Sequence, residues 1–218
     1  YHNPAGVAQS MMYALDGTFM YTPDGNLINA GVIDSQTNPS LAAGFAISYY
    51  FSRGDDDITA LDLRLPIAIP VVRDRVSVGG GARWLSIHEN DVQTLRGFTF
   101  DAGALFQLVD HIYLGLVAKN LVDPCDNNAC ENYLPLLMGT GLAYQNNQLA
   151  VAVDLDFDTD SAEETKMNFD AGAEFLIQNI IPIRVGYKHR GLTEENFVTA
   201  GFGWRSLTAG FDLAYQHD

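Results

Sequence analysis

The chain has 218 residues, 47% of them apolar and only 18% charged, and a net charge of −15. Soluble domains are about one quarter charged, so much of this surface is expected to face something other than water. The excess of 27 acidic over 12 basic residues excludes a nucleic-acid binder, which needs clustered Lys and Arg.

No stretch reaches the roughly 18 uncharged apolar residues of a spanning helix. A membrane would therefore be crossed by a closed sheet, since lipid cannot satisfy an open strand edge. The chain opens Tyr1-His2-Asn3-Pro4, without a Met, a basic start or an apolar leader. A processed or trimmed start is expected, with residues 1–10 as a segment ahead of the first strand.

Strict alternation then runs along the chain. The expected strands are 11–22, 26–36, 40–52, 57–71, 76–90, 95–109, 111–123, 134–146, 148–159, 166–178, 180–190, 196–205 and 207–217. The clearest is 148–159, where Leu149, Val151, Val153, Leu155 and Phe157 alternate with Ala150, Ala152, Asp154, Asp156 and Asp158. A period of two over this length makes a strand, not a helix. It also matches the roughly 9 to 11 residues that a tilted strand needs to cross a bilayer. The expected fold is all-β: a transmembrane antiparallel up-and-down β-barrel over residues 11–218, with about 13 strands visible.

The connections alternate in kind. Thr22–Asn26, Arg53–Asp57, the turn at Glu89-Asn90, the segment around the cysteines, Asp158–Lys166 and Gly191–Asn196 are mostly long and acidic. Between them come tight turns at Val72–Arg75, Val109–His111, Gln145–Asn147, Gln178-Asn179 and Arg205-Ser206; the longer Gln36–Ser40 is the exception. Bacterial outer-membrane barrels sort loops this way, with short turns inside and long loops outside. An even strand number is usual for them, so a fourteenth strand beyond Gln216-His217-Asp218 is expected. Cys125 and Cys130 fall in a long outer loop, where a disulfide is the expected state. Tyr and Trp near strand ends, such as Tyr49, Tyr144, Tyr187 and Trp204, suit an interfacial belt.

The segment Asn3-Pro4-Ala5-Gly6-Val7-Ala8 resembles the Asn-Pro-Ala-Gly-Leu-Ala segment near the mature start of FadL and PorV type barrels. Ile183-Arg184-Val185-Gly186-Tyr187 with Val198-Thr199-Ala200-Gly201-Phe202-Gly203 resembles late strands of the PorV-like branch. The resemblance implies a fourteen-stranded barrel of the Gram-negative outer membrane, with Asn3, Pro4 and Ala5 in the lumen. It implies one of two jobs. A PorV-like barrel is a non-enzymatic partner in an envelope or secretion assembly. A FadL-like barrel carries hydrophobic or small amphipathic molecules. The outer loops here are short for a ligand-gathering vestibule, and a long N-terminal plug is not expected, so the partner role is the first expectation and transport the alternative. Expected partners are outer-membrane lipid, other envelope proteins and, in the transport case, a hydrophobic small molecule.

Charged residues at alternating positions are expected to face the lumen: Asp62, Arg64, Arg83, Asp101, Asp154, Asp156, Asp170, Glu174, Arg184, Lys188, Arg205 and Asp212. Opposite signs on neighbouring strands can pair across the ladder. Filling and hydrating a narrow barrel accounts for them without conduction. No metal, cofactor or catalytic site is expected. The acidic run Asp154–Glu164 lacks the glycine that a calcium loop requires. Ser86 and His88 share a strand face with no third residue to orient them. Gly79-Gly80-Gly81 precedes no helix, so it is no phosphate loop; in a strand such a run permits a bend or close packing against the wall.

Overall fold

A computed structural model describes residues 3–9, 12–53, 57–90, 92–123, 134–159 and 165–217. After a short 3-10 turn, Pro4–Gln9, come thirteen strands. They are β1 Tyr13–Tyr21, β2 Gly25–Asp34, β3 Ala42–Ser52, β4 Ile58–Val72, β5 Val76–Glu89, β6 Val92–Val109 and β7 Ile112–Lys119. Then follow β8 Leu137–Gln145, β9 Leu149–Asp158, β10 Lys166–Ile177, β11 Ile181–Arg190, β12 Glu195–Arg205 and β13 Gly210–His217. They form one 13-stranded sheet in sequence order, and the registered pairs are antiparallel. The fold is the expected all-β, up-and-down one, and no helix among the described residues is long and apolar enough to cross a membrane.

The chain divides into two compact units, Tyr1–Leu105 with Val117–Leu136, and Phe106–Leu116 with Leu137–Asp218. In each, alternation gives the strands one apolar and one polar face. In the first, Leu15 (73% exposed) and Phe19 (63%) stand on the open apolar face. In the second, Val185 (58%) and Phe202 (57%) do the same. Large apolar side chains at such exposure suit a hydrocarbon solvent, not water.

Most strand ends follow the sequence reading to within two residues; β6 begins three residues early, at Val92, and β8 three late, at Leu137, and two other departures have a visible cause. β7 stops at Lys119 instead of running to residue 123. Asn120 takes the left-handed conformation (φ 57°) that ends a strand, and its side chain has other work, described below. β13 starts at Gly210, because Ser206 Oγ accepts from the backbone N–H of Ala209 at 3.1 Å and holds 206–209 as a turn. The long Gln36–Ser40 connection is also locally tied: Asp34 Oδ1 accepts from Gln36 N and Thr37 N, and Asn38 Oδ1 from Ser40 N. The cysteine pair, Cys125 and Cys130, and residues 160–164 of the acidic run lie outside the described residues.

The tight turns keep a common device. Gln178 (φ 51°) and Asn179 (φ 60°) are both left-handed, as in the mirror-image two-residue turn whose twist matches that of the flanking strands. A left-handed Gln is unfavourable by about 1 kcal/mol relative to Gly or Asn. Replacing Gln178-Asn179 by Asn-Gly is therefore expected to stabilise the folded chain by about 1 kcal/mol, read as a higher urea midpoint in detergent or lipid.

Candidate functional site: the polar face

The N-terminal turn is built by its own sequence and seated on the first unit. Asn3 caps it, its Oδ1 accepting from Ala5 N at 3.0 Å, and Pro4 suits the first helical position, where no N–H is needed. Asn3 Nδ2 donates to the carbonyl of Ala104. Ser77 Oγ donates to the carbonyl of Ala5 at 3.0 Å. Val7 is buried against Ala42 and Ala68. A Cβ at Gly79 would fall 2.6 Å from Ala5 N, and one at Gly103 would meet Asn3 Oδ1. The turn therefore lies flat on the polar face of β3, β4 and β5, where small residues clear its footprint. Of the glycine run, Gly79 is the position where the two backbones come closest.

Further along the same face of this unit stands a charge cluster. Asp62 receives Arg64 at 2.7 Å and Arg83 at 2.9 Å. Arg83 also donates to Asn120 Oδ1 at 3.1 Å. Asn120 donates its backbone N–H to Asp101 Oδ1 at 2.9 Å and its amide to the carbonyl of Pro135 at 2.8 Å. Asn120 thus uses its amide oxygen, its amide nitrogen and its backbone N–H to lock the chain after β7 onto the polar face, which explains the early end of that strand. Nearby, Leu85 of β5, Leu95 of β6 and Leu134 form a buried apolar cluster.

In the second unit Glu174 and Arg184 are direct cross-strand partners and bond at 2.6 Å. Arg184 also reaches Asp212 at 2.5 Å, and Arg205 reaches Glu174 at 2.9 Å. Asp170 lies opposite Lys188 in register, yet its ion pair is with Arg190 at 3.2 Å. Asp154 and Asp156 share this face, Asp154 directly across from Asp170.

Between these charges runs a smooth row. Ala143, Ala152, Gly172, Gly186 and Thr199 are successive cross-strand neighbours from β8 to β12. They floor a cavity of about 510 Å3, rimmed by Asp170 and Lys188 on one side and Glu174 and Arg184 on the other.

The structure thus puts every charged residue picked from the alternation on the polar face. It joins Asp62, Arg64 and Arg83, with Asp101 through Asn120, and separately Glu174, Arg184, Arg205 and Asp212. Ser86 and His88 stand on the opposite, apolar face; among the described residues no hydrogen bond joins them. The sequence reading missed Ser77, Asn120 and the Leu85–Leu95–Leu134 cluster. One signal was available: in β5 the alternation inverts its chemistry, with Leu85 and Ile87 at polar-face positions and Ser86 and His88 at apolar-face ones.

An antiparallel sheet in strict sequence order, apolar on one face and ion-paired on the other, belongs to the class of transmembrane up-and-down β-barrels. Among solved structures it is similar to the toluene transporter TbuX of Ralstonia pickettii. That match has a TM-score of 0.69 at 13% identity, covering 98% of this chain and 86% of that one. A structure from work on in-meso crystallization of membrane proteins matches with a TM-score of 0.52 at 8% identity, covering 94% of this chain and 84% of that one. No protein-family profile and no curated protein matches the sequence. The fold is FadL-like; the PorV-like branch gains nothing from these likenesses.

The Asp62 cluster gives a stability test. Its side chain is only 11% exposed and serves two arginines. Removing one member of a buried ion pair leaves uncompensated charge and costs about 3 to 5 kcal/mol. Asp62→Ala is expected to lose about 3 kcal/mol in urea unfolding, and the double change Asp62→Ala with Arg83→Met to lose less than the single one.

Proposed function

We propose that this chain is a bacterial outer-membrane barrel that passes small apolar or amphipathic molecules, acting as a transporter without chemistry of its own. The observation that carries the reading is the trough Ala143–Ala152–Gly172–Gly186–Thr199 on the polar face. Polar faces of barrels are filled by side chains or water. Here a strip of methyl groups and bare backbone is kept clear of side-chain bulk over five strands, while Glu174, Arg184, Arg205 and Asp212 neutralise one another at its edge. Such a strip holds no fixed charge to trap an apolar solute and offers it continuous van der Waals contact. The fold-level likeness to a toluene transporter agrees with this, as an analogy of architecture.

On this reading the polar face lines the lumen, and the N-terminal turn Pro4–Gln9 lies inside it. Its seat on Ala68, Ser77 and Gly79 is close to the β4–β5 turn, on the side of the tight turns. The partner role in an envelope assembly, the first expectation from sequence, has no observation of this kind behind it. Short loops and a paired polar face serve a transporter equally well.

The trough can be filled without touching the fold. A Cβ at Gly172 would have as its nearest neighbour the Val185 carbonyl at 3.7 Å, an ordinary contact. Cells carrying the chain in their outer membrane are expected to take up radiolabelled toluene faster than cells without it. Gly172→Leu should lower that rate several-fold at equal surface expression. Uptake by the parent no faster than by empty cells, or by Gly172→Leu equal to the parent, would overturn the reading.

A further inference from the structure

The apolar face carries an asymmetry that transport does not require. In the first unit its strand positions hold Leu, Ile, Val, Phe, Tyr, Ala and Gly almost throughout. At its strand positions the described cations are Arg96 and Lys119, with His88 on the same face; Arg53, just past β3, lies 4.1 Å over the Tyr21 ring and donates to Asn26 Oδ1. Arg96 is the fifth residue of β6, Lys119 the last of β7 and His88 the next to last of β5, so all three stand at the end with the long connections. In the second unit His189 and His217 stand on the apolar face at that end of their strands, next to last in β11 and last in β13, while His111, in the tight turn before β7, packs its ring 6.1 Å from that of Tyr144 at the opposite end. The carboxylate of the apolar face, Asp34, terminates β2 at the opposite end.

The inversion of alternation in β5 gives the height of this collar. Up to Trp84 the apolar-face residues of β5 are Val78, Gly80, Ala82 and Trp84; above it they are Ser86 and His88, while Leu85 turns inward to Leu95 and Leu134. The wall leaves hydrocarbon at that point. Trp84 marks the boundary, as tryptophans do at membrane interfaces. Arg96 stands over its ring, 5.7 Å from the centroid, and is exposed. Among the described residues Arg96 makes no ion pair. An arginine over an aromatic ring, without a carboxylate among the described residues, presents a planar fork of donors suited to a phosphate.

We propose that Arg96, on its Trp84 platform, binds a phosphate of a glycolipid in the outer leaflet. The proposal rests on the outer-membrane reading above. A phosphorylated glycolipid is the occupant because the collar lies at the boundary of hydrocarbon, on the lipid side of the wall, where an acyl chain has the apolar face to follow. The tight turn at the other end also carries Arg73 and Arg75, flanking Asp74, but these lie beyond the strand ends and off the wall.

Native mass spectrometry of the folded chain in detergent, with diphosphoryl lipid A and its dephosphorylated form as probes, tests this. The parent is expected to retain the diphosphoryl form at least tenfold better than the dephosphorylated one. Arg96→Gln should erase that preference, Arg96→Lys should keep part of it, and Arg73→Gln should leave it unchanged. A parent that does not distinguish the two lipids would overturn the proposal. So would an Arg96→Gln protein that still does, or an equal loss from Arg73→Gln. A gel comparing heated and unheated samples separates the two claims. A chain that shifts on heating but shows no phosphate preference loses only the lipid site. A chain that never shifts loses the barrel reading, and this proposal with it.

Discussion

In hydrocarbon no water is present to bond a peptide group, so every backbone N–H and C=O must find its partner in the next strand. The rest of this structure follows from that constraint. A chain whose backbone is committed to the ladder can express function only through the two faces that alternation creates. One face is surrendered to lipid, and Val, Ile, Leu and Phe occupy it. The other has to be filled, and what fills it decides what the barrel does. In the first unit it is filled by the chain's own N-terminal turn and the Asp62 cluster. In the second it is filled by ion pairs at the edges and deliberately little in the middle.

The two kinds of polar-face packing obey different physics. The N-terminal turn is held by shape. Gly79 lets its backbone touch the wall and Gly103 makes room for the Asn3 side chain, and the contacts are a few hydrogen bonds and the burial of Val7, each contributing on the order of 1 to 2 kcal/mol. That is weak enough for a local element to leave without unfolding the strands beneath it. The charge clusters are held by mutual need: Asp62 between Arg64 and Arg83, or Glu174 between Arg184 and Arg205, cannot lose a member cheaply.

Most of the fold was legible in the sequence because side-chain alternation is a direct image of the ladder. Strands such as β9 and β10 were readable to within a residue or so. The charged residues of the polar face were readable too, because parity alone assigns them. What parity cannot supply is which charges meet. Asp170 faces Lys188 in register but bonds Arg190, a choice made by side-chain reach. The glycine run pointed to close packing against the wall, though not to what packs at Gly79; nor does parity reveal an asparagine that ends a strand, as Asn120 does by trading ladder bonds for Arg83, Asp101 and Pro135. The trough was hidden for a related reason. Ala143, Ala152, Gly172, Gly186 and Thr199 are far apart in sequence and become neighbours only once the register of β8 to β12 is set. The reversal of chemistry after Trp84 was in plain view in the sequence, and its meaning emerged when Leu85 was found packed inward.

The central claim is that the two faces meet different solvents, lipid on one side and water on the other. It is tested most directly by spin labels placed one at a time along residues 149–158 of β9, in a Cys125→Ser, Cys130→Ser background, with the protein reconstituted in bilayers. Relaxation by lipid-soluble oxygen and by a water-soluble nickel complex is measured at each site. The account predicts a strict period of two: oxygen dominates at Leu149, Val151, Val153, Leu155 and Phe157, and nickel at Ala150, Ala152, Asp154 and Asp156. Equal nickel access on both faces, or a period near 3.6, would contradict it.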